Sequence, residues 1–397
     1  MPRNGSCGRR LSVYSAGRRD RGVGTGWARR EVWIVSGGRG RQFWGRGFGA
    51  AVTVAAVLCG VAAAGRSRGD DTAVVGAAPG GPALVVQAGG GEPWGDTSRL
   101  GRPFSKDPSV IRHGGRYLLY YSMPPFGDGR SADGWGIGIA ESRDLKAWKK
   151  VGEFLVAEPY EGKGLAAPSA MVLDGRVHLF YQGYGSGPKD AICHAVSADG
   201  LRFERDPTNP IFRPSGDWTA GRAIDVDVVH WGGRWLLYAA TRDPQMKVQM
   251  LVGAVSTGGF DRASWTMLAD RPLLAPALPW EQQCIEAPAV IAHGETLFMF
   301  YAGAYNNAPQ QVGLARSTDG VRWERVSDHP FLPNGAPGTW NSSESGHPAV
   351  FVDEDGRAYL FYQGNDDRGR TWRISFVRLA WRDGRPVAMT PEAERAR

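Results

Sequence analysis

The sequence predicts an all-β fold: a five-bladed β-propeller whose blades are four-stranded antiparallel sheets. Two observations carry this. A short segment recurs five times, beginning Asp107-Pro-Ser-Val-Ile, Ala167-Pro-Ser-Ala-Met, Asp225-Val-Asp-Val-Val, Ala287-Pro-Ala-Val-Ile and His347-Pro-Ala-Val-Phe, and its second residues lie 60, 58, 62 and 60 apart. Each copy then passes through a glycine-containing turn into a second apolar strand, which is the pattern of a hairpin.

The elements follow in order. The turns are His113-Gly-Gly, Asp174-Gly, Trp231-Gly-Gly, His293-Gly and Asp355-Gly. The second strands are Tyr117-Leu-Leu-Tyr-Tyr, Val177-His-Leu-Phe-Tyr, Trp235-Leu-Leu-Tyr, Leu297-Phe-Met-Phe-Tyr and Tyr359-Leu-Phe-Tyr. In the first four repeats a third strand runs into a serine-led turn at 142–145, 197–200, 256–259 or 317–320. A fourth strand then opens with Trp148, Phe203, Trp265 or Trp323, and the fifth repeat is less regular here. Sheets of this kind arrange radially, and a sandwich would not repeat so evenly. The propeller therefore spans 101–390 as one domain with a tail at 391–397, and a strand near 83–87 is a candidate to complete the last blade.

The net charge of +7 belongs to the N-terminal region. Residues 1–69 hold 13 Arg against Asp20 and Glu31, a local charge of +11, so the rest of the chain stands at −4. No basic stripe crosses the propeller, and we expect no nucleic-acid partner. The 17-residue apolar run 48–64 follows Arg46 and ends in small residues, which reads as a secretory signal within a leader spanning 1–65. We expect a secreted protein, extracellular or periplasmic, with no stable membrane association unless that run is retained. A membrane anchor through 48–64 is the rival reading, although the run is at the short limit for a span. Residues 66–100 are rich in Gly, Ala and Pro and read as a linker leading into a first strand. Cys193 and Cys284 are expected as buried thiols, with one disulfide between them as the rival reading, and we expect a monomer.

In a propeller the first strand of each blade lines the central channel, so the repeat starts converge on one mouth. Asp107, Asp225, Glu286 and His347 then meet there, with Asp227 two residues beyond Asp225. Crowded carboxylates raise one another's pKa, which suits a general acid beside an ionised base. Glycoside cleavage uses such a pair. A strand-capping role for an aspartate is the simpler account of one acid, but it does not explain three at matched places. Mouth loops at 123–135, 184–190, 242–247, 305–311 and 365–370 would contact substrate, with Trp94, Trp135, Tyr184 and Tyr305 as stacking candidates and Arg242 as a polar contact.

With these motifs in register, the chain resembles the five-bladed hydrolases of the arabinanase and β-fructosidase superfamily, and most of all glycoside hydrolase family 43, over about 290 residues. Asp107-Pro-Ser-Val resembles the family's general-base segment. Ile224-Asp225 resembles the segment whose Asp adjusts and orients the acid, and Glu286-Ala-Pro resembles the general-acid segment. Gly346-His347 resembles the Gly-His of arabinan-active members, whose His lines the channel beside a metal ion. The resemblance implies inverting hydrolysis of arabinofuranoside- or xyloside-type carbohydrate. It requires no cofactor, and it leaves open Ca2+ or another cation held near His347. Blade three departs from the pattern, because Asp225-Val-Asp227 replaces Asp-Pro and Asp227 competes for the role. Arg242-Asp243-Pro244 mimics a fructosidase motif but falls after a second strand, not on a first one. Two other classes stay open. One is a phosphorylase of the related mannoside-processing family, for which Arg242, Lys247 and Arg368 are the obvious mouth cations. The other is a non-catalytic carbohydrate-binding propeller.

Overall fold

A computed structural model describes residues 92–130 and 134–389; the leader, the apolar run 48–64, the candidate strand at 83–87 and the tail lie outside the described residues. Five separate four-stranded sheets are present, each with its strands in chain order. Blade 1 holds β1 (Lys106–His113), β2 (Arg116–Met123), β3 (Gly136–Ser142) and β4 (Lys149–Phe154). Blade 2 holds β5 (Gly164–Leu173), β6 (Arg176–Tyr184), β7 (Ala191–Ser197) and β8 (Glu204–Arg205). Blade 3 holds β9 (Ile224–Trp231), β10 (Arg234–Arg242), β11 (Gln249–Ser256) and β12 (Thr266–Met267). Blade 4 holds β13 (Ile285–His293), β14 (Thr296–Gly303), β15 (Gln311–Ser317) and β16 (Glu324–Arg325). Blade 5 holds β17 (Glu344–Val352), β18 (Ala358–Asn365), β19 (Arg373–Arg382) and β20 (Arg385–Ala388).

The first strands neighbour one another in a ring, β1–β5–β9–β13–β17 and back to β1. The core follows the same logic. A four-stranded sheet has two faces to cover, and each apolar face meets the next blade. The buried side chains accordingly form five clusters, each drawn from two adjacent blades, such as Tyr120 with Leu179 and Phe361 with Leu119. The fifth blade supplies its own fourth strand, β20, so closure does not need the strand at 83–87. The seam is instead fastened by the segment before β1. Trp94 exchanges both backbone hydrogen bonds with Ile374 (2.9 and 2.7 Å), and Ser105 N–H donates to the Trp372 carbonyl (3.0 Å). Both thiols, Cys193 and Cys284, are buried and free. Among the described residues no helix is long and apolar enough to cross a membrane.

Every first strand carries a β-bulge at the same place. Its residue takes a left-handed backbone: φ is 52° at Asp107, 45° at Ala167, 53° at Asp225, 50° at Ala287 and 45° at His347. Side-chain-bearing residues rarely adopt this conformation, and bulges gather beside functional sites. The bulge leaves a backbone N–H without a ladder partner. In three blades the preceding blade fills the gap from its second strand: Gln363 accepts from Asp107 (2.9 Å), Ser122 from Ala167 (2.8 Å) and Gln182 from Asp225 (2.6 Å).

A second device fixes the segments that lead into the first strands. In blade 4 the buried Glu281 carboxylate accepts from Ala277 N–H (2.7 Å), Leu278 N–H (3.0 Å), the Tyr301 hydroxyl (2.7 Å) and two guanidinium nitrogens of Arg325 (both 2.7 Å). Glu161, Tyr181 and Arg205 repeat the arrangement in blade 2. Removing one partner of such a pair strands a buried charge. We expect Glu281→Gln to cost about 3 kcal/mol and to lower the melting temperature by roughly 5–10 °C in calorimetry. Lys150→Gln, which removes a more exposed partner of Asp96, should shift it far less.

Candidate active site

Two structural positions build the site. Asp107, Asp225 and His347 occupy the bulge position of their strands. Glu286 stands one place earlier, paired with Ala302, and Lys106 takes the same earlier place in blade 1, paired with Ser122. All of them line one pocket of about 150 Å3 at the channel mouth, together with Trp135, Tyr184, Arg242 and Tyr305. The four ionisable groups drawn from first strands by sequence thus meet, and three of the four stacking candidates join them. Wider depressions exist elsewhere, such as one of about 780 Å3 on the face of the hairpin turns, but no cluster of buried acids lines it.

Two expectations are corrected. Trp94 does not reach the pocket: its ring meets Tyr121 edge-on at 5.1 Å inside the core between blades 5 and 1. Asp227 lies deeper in the channel, where it accepts from Ser169 Oγ (3.1 Å) and Val290 N–H (2.7 Å), tying blade 3 to blades 2 and 4. Burial lifts its carboxyl to about 6. Asp243 accepts from the backbone of Lys247 and Val248 (2.6 and 2.9 Å), so the Arg-Asp-Pro sequence caps a loop turn. Lys247 and Arg368 do not line the pocket, whereas Lys106 and Arg222 do.

Opposite charges meet along the axis. His347 Nε2 lies 3.4 Å from Asp107 Oδ1 and 3.5 Å from Asp225 Oδ1. Burial alone would lower the imidazole pKa, but the carboxylates of Asp107 and Asp225 outweigh it and hold it up at about 9. Burial works against the charged form of Asp107 too, and here His347 and the Lys106 ammonium (3.9 Å) prevail and lower its pKa. Glu286 goes the other way. Burial, then the Asp225 carboxylate, push it up to about 7. Among the described residues no group of three or more His, Cys, Asp and Glu side chains is arranged to hold a metal ion.

Several contributors carry no charge signature and escaped the sequence reading. Gln249 and Gln310 each direct an amide nitrogen to one oxygen of Glu286, Gln310 at 2.7 Å. A Cβ on Gly346 would stand 1.9 Å from Gln310 Oε1, so a glycine before His347 is what lets this amide approach. Lys106 had a readable signal, since it shares the register place of Glu286. Buried Glu344 accepts from Asn307 N–H, and burial lifts its pKa to about 7.

The sequence pattern of the family described as Glycosyl hydrolases family 43 matches residues 100–386. The chain belongs to glycosyl hydrolase family 43. It is a glycosidase, and solved structures share its fold. A thermostable family-43 glycoside hydrolase is 22% identical with a TM-score of 0.58, over 72% of this chain and 93% of that one. An endo-1,4-β-xylanase from Bacteroides thetaiotaomicron is 21% identical with a TM-score of 0.57, over 77% and 96%. An exo-1,5-α-L-arabinanase from a bovine ruminal metagenomic library is 16% identical with a TM-score of 0.54, over 72% and 97%. No curated protein matches the sequence.

The imidazolium generates a pH dependence of stability in this family 43 chain. Its folded pKa of about 9 exceeds the usual 6.5, so its contribution is complete below about pH 6.5 and lost as pH rises through about 9. Melting temperatures of the wild type and His347→Gln should therefore differ most at about pH 6 and converge above about pH 10.

Proposed function

We propose that this glycosidase hydrolyses α-L-arabinofuranoside- or β-xyloside-type bonds with inversion, using Asp107 as base and Glu286 as acid. The observation that carries the reading is the opposite tuning of two carboxyls in one pocket: Asp107 is lowered by its cations, and Glu286 is raised to about 7. Asp107 takes a proton from water as the water oxygen bonds to the anomeric carbon. The carbon–oxygen bond to the leaving group breaks, and Glu286 delivers its proton to that oxygen. Asp225 keeps Glu286 protonated by repulsion. The solved xylanase and arabinanase, both named for pentose polysaccharides, support a pentoside. Trp135, Tyr184 and Tyr305 would stack on sugar faces. His347 already neutralises the axis, so a channel cation, Ca2+ or another, would be an addition that displaces its proton. Export through the apolar run 48–64 fits a substrate outside the cell.

Glu286→Gln should slow cleavage of poor leaving groups about 10^3-fold and spare activated aryl glycosides, because acid assistance matters only when departure is difficult. Asp107→Asn should slow both by a similar factor, and the first-formed sugar should show the inverted anomer by NMR. Retention of configuration, or full activity in Asp107→Asn, would overturn the assignment. The rate should fall as pH rises through about 7, where Glu286 loses its proton. Gln310→Leu removes a donor that favours the ionised acid, so this alkaline limb should move to higher pH.

A further inference from the structure

Arg222 and Arg242 stand side by side in the pocket wall and share one acceptor. Arg242 Nε donates to Gln249 Oε1 at 2.7 Å, and Arg222 Nη1 donates to the same oxygen at 3.3 Å. The other end of that amide donates to Glu286, so the guanidiniums sit directly behind the acid. Arg222 is buried and has Asp190 as its ion partner (3.1 Å). Arg242 has none among the described residues: its remaining contacts are the Met246 carbonyl (3.4 Å) and the Tyr305 ring (5.2 Å to the centroid). Neither Nη2 has a hydrogen-bond partner among the described residues, and both side chains line the cavity.

Arg222, buried and paired with Asp190, and Arg242, half-buried and without an ion partner among the described residues, meet on one neutral oxygen, which is costly unless a second anion joins them. The surrounding acids do not supply it. Asp107 and Asp225 are engaged by His347, and Asp190 by Arg222. Glu286 and Glu344, both raised to about 7, are neutral in mildly acidic solution. Four cationic side chains, Lys106, Arg222, Arg242 and His347, then face three carboxylates around this pocket. A neutral sugar would leave that excess in place. The paired guanidiniums offer free N–H groups in the forked geometry that suits a planar or tetrahedral oxyanion.

We propose that Arg222 and Arg242 form an oxyanion subsite beside Glu286, and that the glycoside cleaved here carries a carboxylate, sulfate or phosphate on its leaving-group side. The side follows from the reading of Glu286 as the acid, on which this inference rests: a group that protonates the leaving oxygen faces the leaving group. The two sources of the oxyanion, a uronic acid and an ester, differ in shape, and binding measurements separate them.

The test is calorimetric titration of the full chain with D-galacturonate, D-glucuronate, D-galactose, D-glucose, inorganic sulfate and inorganic phosphate. A uronate is expected to bind about tenfold more tightly than its neutral counterpart, with the preference falling to near unity in Arg242→Gln and to an intermediate value in Arg242→Lys. Sulfate or phosphate binding that is lost in the same variants, without uronate preference, assigns the subsite to an ester. Equal binding of galacturonate and galactose with no sulfate or phosphate binding overturns the proposal. Melting curves of both variants separate lost recognition from lost folding. None of these probes contains a bond to cleave. Turnover of neutral glycosides without anion preference therefore sinks this inference alone, and anion preference without any turnover sinks the hydrolytic reading alone.

Discussion

One residue in left-handed backbone, repeated at the start of five first strands, is the constraint on which the channel depends. It turns Asp107, Asp225 and His347 toward a common axis and leaves an N–H to be satisfied from outside the strand. The answer comes from the neighbouring blade, through Gln363, Ser122 and Gln182. A catalytic-type geometry in one blade is thereby held by the second strand of another. Where Ala240 and Ala302 stand at the matching places of blades 3 and 4, no such support exists. The space beside Ala302 is where Glu286 and its two amide partners gather.

Electrostatics follows from that placement. Three acids drawn to a narrow axis would repel one another, and His347 at the same position of blade 5 lies between two of them. The third, Glu286, is left without a cation of its own and meets neutral amides instead. The difference between a salt-bridged carboxylate and an amide-held one is what separates their proton affinities. Register places them differently, because Glu286 precedes its bulge and Asp107 occupies its own.

The propeller and the meeting of Asp107, Asp225, Glu286 and His347 were legible in the sequence because both are properties of a repeat: the period names the blade, and equal positions share a place. What escaped was whatever the repeat does not encode. Gln249 comes from the start of a third strand and Gln310 from a loop, and uncharged amides leave no pattern. Arg222 precedes β9 and lies outside the recurring segments that define the repeat. Trp94 was misjudged because a ring near the start of the domain could equally face solvent or fasten the seam. The apolar interface between blades 5 and 1 claimed it. Lys106 was visible in principle, one place before Asp107, once Glu286 is seen to occupy the corresponding place in blade 4.

The carboxylate ties of Glu161 and Glu281 recur 120 residues apart. Tyr120 in blade 1 and Tyr238 in blade 3 each donate to a glycine carbonyl in the next blade, at Gly200 and Gly320, while blades 2 and 4 carry Phe180 and Phe300 at that place. Blade 1 makes a similar tie: Asp96 accepts from the Tyr121 hydroxyl (2.9 Å) and pairs with Lys150 of the fourth strand (3.2 Å). Blade 5 carries Phe361 at the same place, and the segment from Trp94 to Ser105 stitches that blade to blade 1. The acid that anchors blade 1, Asp96, lies within that stitch, so the segment that closes the ring also fixes the first blade.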